Sequence, residues 1–141
     1  FYLTKLEWLG PILVRGLRLL SSVEALGQEF SFSQTMVLIT LLNMRQTSMN
    51  KLAEVLGISK ANASGLVDRL VKKRLVARDR SAADRRVVLV QLTPAGIKTA
   101  QQLAKLNRQG LVKMMRRIPD QNLKVFIDTL EQLAQGLLAK R

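Results

Sequence analysis

Leu3, Leu6, Leu9, Leu13, Leu17, Leu20 and Val23 recur at steps of three and four, the spacing that lines one face of a helix. It predicts a long amphipathic first helix through about residue 28, with Pro11 as a point of kinking. That apolar stripe needs a cover, and a second subunit is one candidate.

Ser31 followed by Gln34 and then by Met36, Val37, Leu38, Leu41 and Leu42 reads as a capping box opening a second helix that ends near Arg45. Ser48 caps a short third helix with Leu52, Ala53, Val55 and Leu56 facing inward, and Gly57 supplies a left-handed exit. Ser59 opens a fourth helix almost at once. Its buried stripe is Ala63, Leu66, Val67, Leu70 and Val71, and its polar face carries Lys60, Asn62, Ser64, Asp68, Arg69 and Lys72. Short side chains crowd the N-terminal end of that face, so a backbone can approach it closely.

From Val76 the period changes to two. Val76, Arg78 and Arg80 alternate, Ser81-Ala82-Ala83-Asp84 interrupts, and Val88, Val90 and Leu92 alternate again, which is a β-hairpin with a charged connection. Thr93 and Pro94 then serve as N-cap and first residue of a fifth helix running to about Arg117. Its stripe is Ile97, Ala100, Ala104, Leu111, Met114 and Ile118. Pro119 at the first position and Asp120 beside it open a sixth helix through about Leu138, striped by Leu123, Ile127, Leu130, Leu133, Ala134 and Leu137.

Composition narrows the chemistry. The 141 residues include no Cys and no His, so thiol chemistry, soft metal ligation and histidine general bases are all excluded. The carboxylates have no nucleophile beside them, and neither an enzyme, a cofactor nor a metal is expected. Met36 to Met44, the longest apolar stretch, is broken by Thr40 and Asn43 and falls far short of a bilayer span. An apolar share of 48% suits one folded domain despite a net charge of +13, and that charge attracts polyanions. Between Lys60 and Arg86 stand nine basic and three acidic residues, so this stretch alone supplies six of the thirteen excess charges.

A short helix, a glycine turn, a second helix with a polar face and a basic hairpin make a winged helix-turn-helix, an arrangement that seats one helix in a major groove. The predicted fold is mainly α with a small β-hairpin wing: an N-terminal dimerisation helix (1–30), a winged domain (31–93) and C-terminal dimerisation helices (94–141). Candidate DNA-contacting residues are Ser59, Lys60, Asn62, Ser64, Arg69, Arg78, Arg80, Asp84, Arg85 and Arg86. At the start of the fourth helix, free backbone N–H groups join side-chain donors, and Asn62 is the best base-edge candidate.

The chain resembles the MarR/SlyA-type transcriptional regulators of bacteria and archaea over nearly its whole length. The resemblance rests on Ser31-Phe32-Ser33-Gln34, on Leu52 to Ser59 across the turn, on Leu66 to Lys73, and above all on Asp84-Arg85-Arg86 leading to Leu92-Thr93-Pro94-Ala95-Gly96. It implies that Arg86 is a minor-groove arginine and Asp84 the carboxylate that orients it. It further implies a cytoplasmic homodimer intertwined through the first, fifth and sixth helices, with Leu6, Leu9, Leu13, Leu123, Ile127, Leu130, Leu133 and Leu137 as dimer contacts. The likeness also implies a small-molecule effector crevice; the charged hairpin and helix pair lead to the expectation of repression at a pseudo-palindromic operator, and no membrane partner is expected. Arg74 departs from the pattern, standing where many members have Gly, so either it adopts a left-handed conformation or the helix ends one residue later. Lack of Cys excludes the thiol-based peroxide-sensing branch, and lack of His speaks against the zinc-sensing one. From another class, the same charge would also suit a scaffold or nucleic-acid binder that reads no sequence, although stacking aromatics amount to only 4% of the chain.

Overall fold

The computed structural model describes residues 1–21 and 23–139. Its elements are α1 (Tyr2–Ser21), β1 (Val23–Ala25), β2 (Gln28–Phe30), α2 (Phe32–Met44), β3 (Thr47–Ser48), α3 (Met49–Leu56), α4 (Lys60–Lys72), β4 (Val76–Arg80), β5 (Val88–Leu92), α5 (Pro94–Met115) and α6 (Asp120–Leu138). Residues Phe1–Asn107 form one compact unit and Arg108–Arg141 a second. Among the described residues no helix is long and apolar enough to cross a membrane.

The capping box is present: Gln34 N–H donates to Ser31 Oγ at 3.2 Å, and Ser31 N–H donates to Gln34 Oε1 at 3.1 Å. Ser48 and Ser59 cap α3 and α4 in the same manner, each accepting at 3.1 Å from the backbone N–H three residues on. Gly57 closes α3 at φ 66°, where Ile58 N–H reaches back to the Ala53 carbonyl and Gly57 N–H to that of Glu54. The first unit's core draws Val37, Leu38 and Leu41 from α2, Leu52 from α3, Ala63, Val67 and Leu70 from α4, and Val90, Ala100 and Leu103 from the segments beyond.

Four features differ from the periodicity. The first helix stops at Ser21 rather than near residue 28, because Val23–Ala25 and Gln28–Phe30 pair as antiparallel strands around Leu26-Gly27, both at positive φ. Thr47–Ser48 adds a short strand to the wing, giving a three-stranded sheet in the order β3-β5-β4 with Thr47 opposite Val90 and Arg78 opposite Val90 on the other side. Val55 and Ile97 are exposed, and the buried face of α5 is Gly96, Thr99, Ala100 and Leu103. Finally, Pro119 is the N-cap of α6 rather than its first helical residue, and makes no side-chain cap bond.

Arg74 resolves the open turn. The helix ends at Lys72 and Arg74 takes the left-handed conformation, φ 60°. Arg74 N–H donates to the Val71 carbonyl at 2.9 Å and Leu75 N–H to that of Leu70 at 3.0 Å, the paired bonds of a Schellman exit made without glycine.

Candidate nucleic-acid interface

Helix α4 meets solvent through Lys60, Asn62 and Arg69, with Ser64 half-buried among them. Ser59 Oγ is already engaged by the Asn62 N–H, so its first role is capping. The remaining N–H groups of that first turn point out of the helix end, where the macrodipole favours an anion. No carboxylate occupies the first turn to compete.

The wing is stiffened by its own side chains. Ser81 N–H donates to the Val87 carbonyl at 2.9 Å, Val87 N–H to the Asp84 carbonyl at 3.0 Å, and Ala83 N–H to Ser81 Oγ at 3.2 Å. Arg80 donates from a guanidinium nitrogen to the Arg85 carbonyl at 2.8 Å, bracing the loop from inside. Asp84 Oδ1 accepts from Arg86 N–H at 3.0 Å and from Arg86 Nε at 3.2 Å, while Oδ2 accepts from the guanidinium NH2 at 3.2 Å. These bonds to the guanidinium and backbone of Arg86 hold the Asp84 carboxyl below the usual carboxylate range. Arg86 is nevertheless 91% exposed, so the fork is fixed in direction and still open to a ligand. Fixing a long side chain in advance removes part of the entropy cost of binding.

Arg78 and Arg80 are thus not equivalent to Arg85 and Arg86. Arg78 pairs with Asp68 of α4, joining recognition helix to wing. The sequence places Asp68 on the polar face of α4 but gives no sign of this pairing, because ten residues and a change of secondary structure separate it from Arg78. Two further residues were legible only as a motif. Thr93 Oγ1 accepts from Gly96 N–H at 3.0 Å and donates to the Arg74 carbonyl at 2.8 Å, while Thr93 N–H donates to the Leu75 carbonyl at 3.0 Å. A Cβ on Gly96 would overlap that Leu75 carbonyl. Leu-Thr-x-x-Gly is therefore a latch that fixes the exit of α4 against the start of α5.

Most of the expected dimer contacts are exposed among the described residues. In the first unit Leu6, Leu9 and Leu13 are exposed; in the second, Leu123 is half-buried and Ile127, Leu130, Leu133 and Leu137 are exposed. A cavity of about 510 Å³ lies in the first unit, walled by Leu41, Leu42, Leu92 and Ile97 and rimmed by Arg45, Gln46, Gln91 and Gln101. That size is ordinary for a small-molecule site.

A family model described as MarR family matches residues 29–87. The HTH-type transcriptional regulator YfiV of Bacillus subtilis is 31% identical over 109 residues, spanning 77% of this chain and 68% of that protein. Among solved structures, Streptococcus pneumoniae FabT in complex with DNA matches with a TM-score of 0.82 at 18% identity, covering 100% of both chains. The PcaV regulator of Streptomyces coelicolor, in complex with its natural ligand, matches with a TM-score of 0.77 at 21% identity over 92% of this chain and 91% of that one. At such identities the two structures speak for the fold, and the sequence matches speak for the family. The chain belongs to the MarR family of helix-turn-helix transcriptional regulators, which bind DNA and are not enzymes.

Proposed function

We propose that the protein represses transcription as a homodimer bound to a pseudo-palindromic operator, and that a small-molecule effector releases it. The observation that carries this reading is the pairing of an outward polar face on α4 with a wing whose Arg86 is 91% exposed yet held by Asp84. Asn62 reads a base edge in the major groove, Lys60, Ser64 and Arg69 meet the flanking backbone, and Ser59 caps the helix that presents them. Arg86 enters the adjacent minor groove, where negative potential is greatest when the groove is narrow, with Arg85 at its side. Arg78, Arg80 and Asp84 serve by holding wing and helix in place.

Dimerisation is supported by the exposed leucines of α1 and α6, since contiguous apolar stripes on a regulator this basic need a cover that a two-fold partner supplies. Two recognition helices then address half-sites about 34 Å apart. An effector acts by preferring the dimer geometry with the wrong spacing, because only differential affinity shifts a two-state population. The 510 Å³ cavity and the ligand bound to PcaV support such a molecule. A cytoplasmic location follows from a chromosomal target.

Footprinting on the gene's own upstream DNA tests this function. Protection of two symmetric half-sites by wild type, and its loss in Arg86→Ala with the dimer intact by sedimentation, is the expected result. Unchanged protection in Arg86→Ala removes the minor-groove role.

A further inference from the structure

The β1–β2 hairpin joins α1 to α2, and a two-stranded hairpin is marginal by itself in water. It is held by burial of Ala25 and Phe30. A third anchor comes from the recognition helix. Lys73, the C-cap of α4, donates from Nζ to the Glu29 carbonyl at 3.1 Å, across 44 residues of sequence. The same ammonium lies 4.6 Å from the centroid of the Phe30 ring. Its neighbour Lys72 is exposed and has no side-chain partner among the described residues, the ordinary fate of a lysine in a basic run.

We propose that Lys73 is a positioning residue for DNA binding, tying the end of the recognition helix to the hairpin that follows α1 instead of contacting a phosphate. The inference rests on the DNA-binding function proposed above. One donor of the ammonium is spent on a carbonyl and its charge faces a ring quadrupole, so the side chain is held at its head group beside Phe30. With Asp68 already joined to the wing through Arg78, α4 is held at two points five residues apart, one to each flanking hairpin. The strand pair and Lys73 thus link the hairpin to the recognition helix, beside the packing of α1 on α2 and of α2 on α4.

Lys73→Met keeps an unbranched apolar stem on Phe30 and removes the cation, whereas Lys73→Arg keeps the cation. Fluorescence anisotropy on the preferred duplex and on a scrambled one, across several salt concentrations, is the first readout. Lys73→Met is expected to weaken the preferred duplex roughly ten-fold, the scale of one lost charge-assisted contact, with the scrambled duplex and the salt slope unchanged. Lys73→Arg is expected to recover most of that loss. Phe30→Leu alters no charge and is expected to reproduce the loss, with the double variant no worse than either single one. Equal losses on both duplexes with a slope smaller by about one mark a phosphate contact and overturn the proposal. Amide hydrogen exchange of the β1 and β2 strands in the free protein, the second readout, should quicken in Lys73→Met. Unaltered exchange sinks the tether, while a wild type with no duplex preference sinks the DNA-binding reading and leaves the exchange result to decide the tether.

Discussion

A methyl group at position 96 has nowhere to go. Gly96 is buried at the third position of α5, and a Cβ there overlaps the Leu75 carbonyl oxygen and crowds its carbonyl carbon and Cα, all of them backbone. If the carbonyl turns away it leaves the Thr93 N–H, now 3.0 Å distant; if α5 withdraws, the bonds of Thr93 Oγ1 to Gly96 and Arg74 stretch. Forced overlap in a packed core costs ~1–3 kcal/mol. One or two lost hydrogen bonds add about 1 kcal/mol each. The better helix propensity of alanine offsets ~1 kcal/mol. The net loss for Gly96→Ala is roughly 1–4 kcal/mol, a fall of roughly 3–15 °C in melting midpoint for a chain of this size. Circular dichroism melts at one fixed protein concentration measure it, because the midpoint of a dimer depends on concentration. Gly65 is the control: nothing lies within 4 Å of a Cβ built there, so Gly65→Ala should hold or raise the midpoint. A Gly96→Ala midpoint equal to that of Gly65→Ala would refute the close approach of α5 to Leu75.

Two other outcomes follow from the same geometry. Asp84 has its pKa lowered by Arg86, so the pair is fully formed above the ordinary carboxylate pKa of about 4 and is lost as pH falls through the lower folded value. Asp84→Asn should therefore weaken operator binding at neutral pH while leaving the melting midpoint nearly unchanged, and a wild-type affinity in that variant would remove the orienting role. Arg74→Gly should stabilise by roughly 0.5–1 kcal/mol in urea titration, the relief of a left-handed side chain less the extra freedom of glycine in the unfolded chain; a destabilised variant would contradict the left-handed exit.

Features that depend on neighbours close in sequence were legible from the residues alone. Ser31 with Gln34, Ser48, Gly57 and Ser59 announced helix ends because a cap bonds a backbone group three residues away. The hairpin and its Asp84–Arg86 fork were visible for the same reason. The short β1–β2 hairpin was not: Val23 continued the helical stripe of α1, and Leu26 gave no sign of adopting φ 51°, a turn conformation that glycine or asparagine would have advertised. Strand β3 has two residues, too few to show alternation. Long-range partners were equally silent. Nothing in the period of α4 says that Asp68 meets Arg78 or that Lys73 reaches Glu29. Thr93 and Gly96 were legible as a signature, and only the fold shows that the signature is a latch.

Salt-resolved fluorescence anisotropy tests sequence-specific DNA binding through α4 and the wing. Purified protein is titrated against its upstream DNA and a scrambled duplex of equal length, so that the electrostatic term common to both separates from the specific one. A preference of roughly 10³ or more for the upstream duplex, persisting as salt rises, is the predicted result. Equal affinities that collapse together with salt, repeated on duplexes recovered by random-sequence selection, would contradict it and leave a basic protein that binds polyanions without reading them.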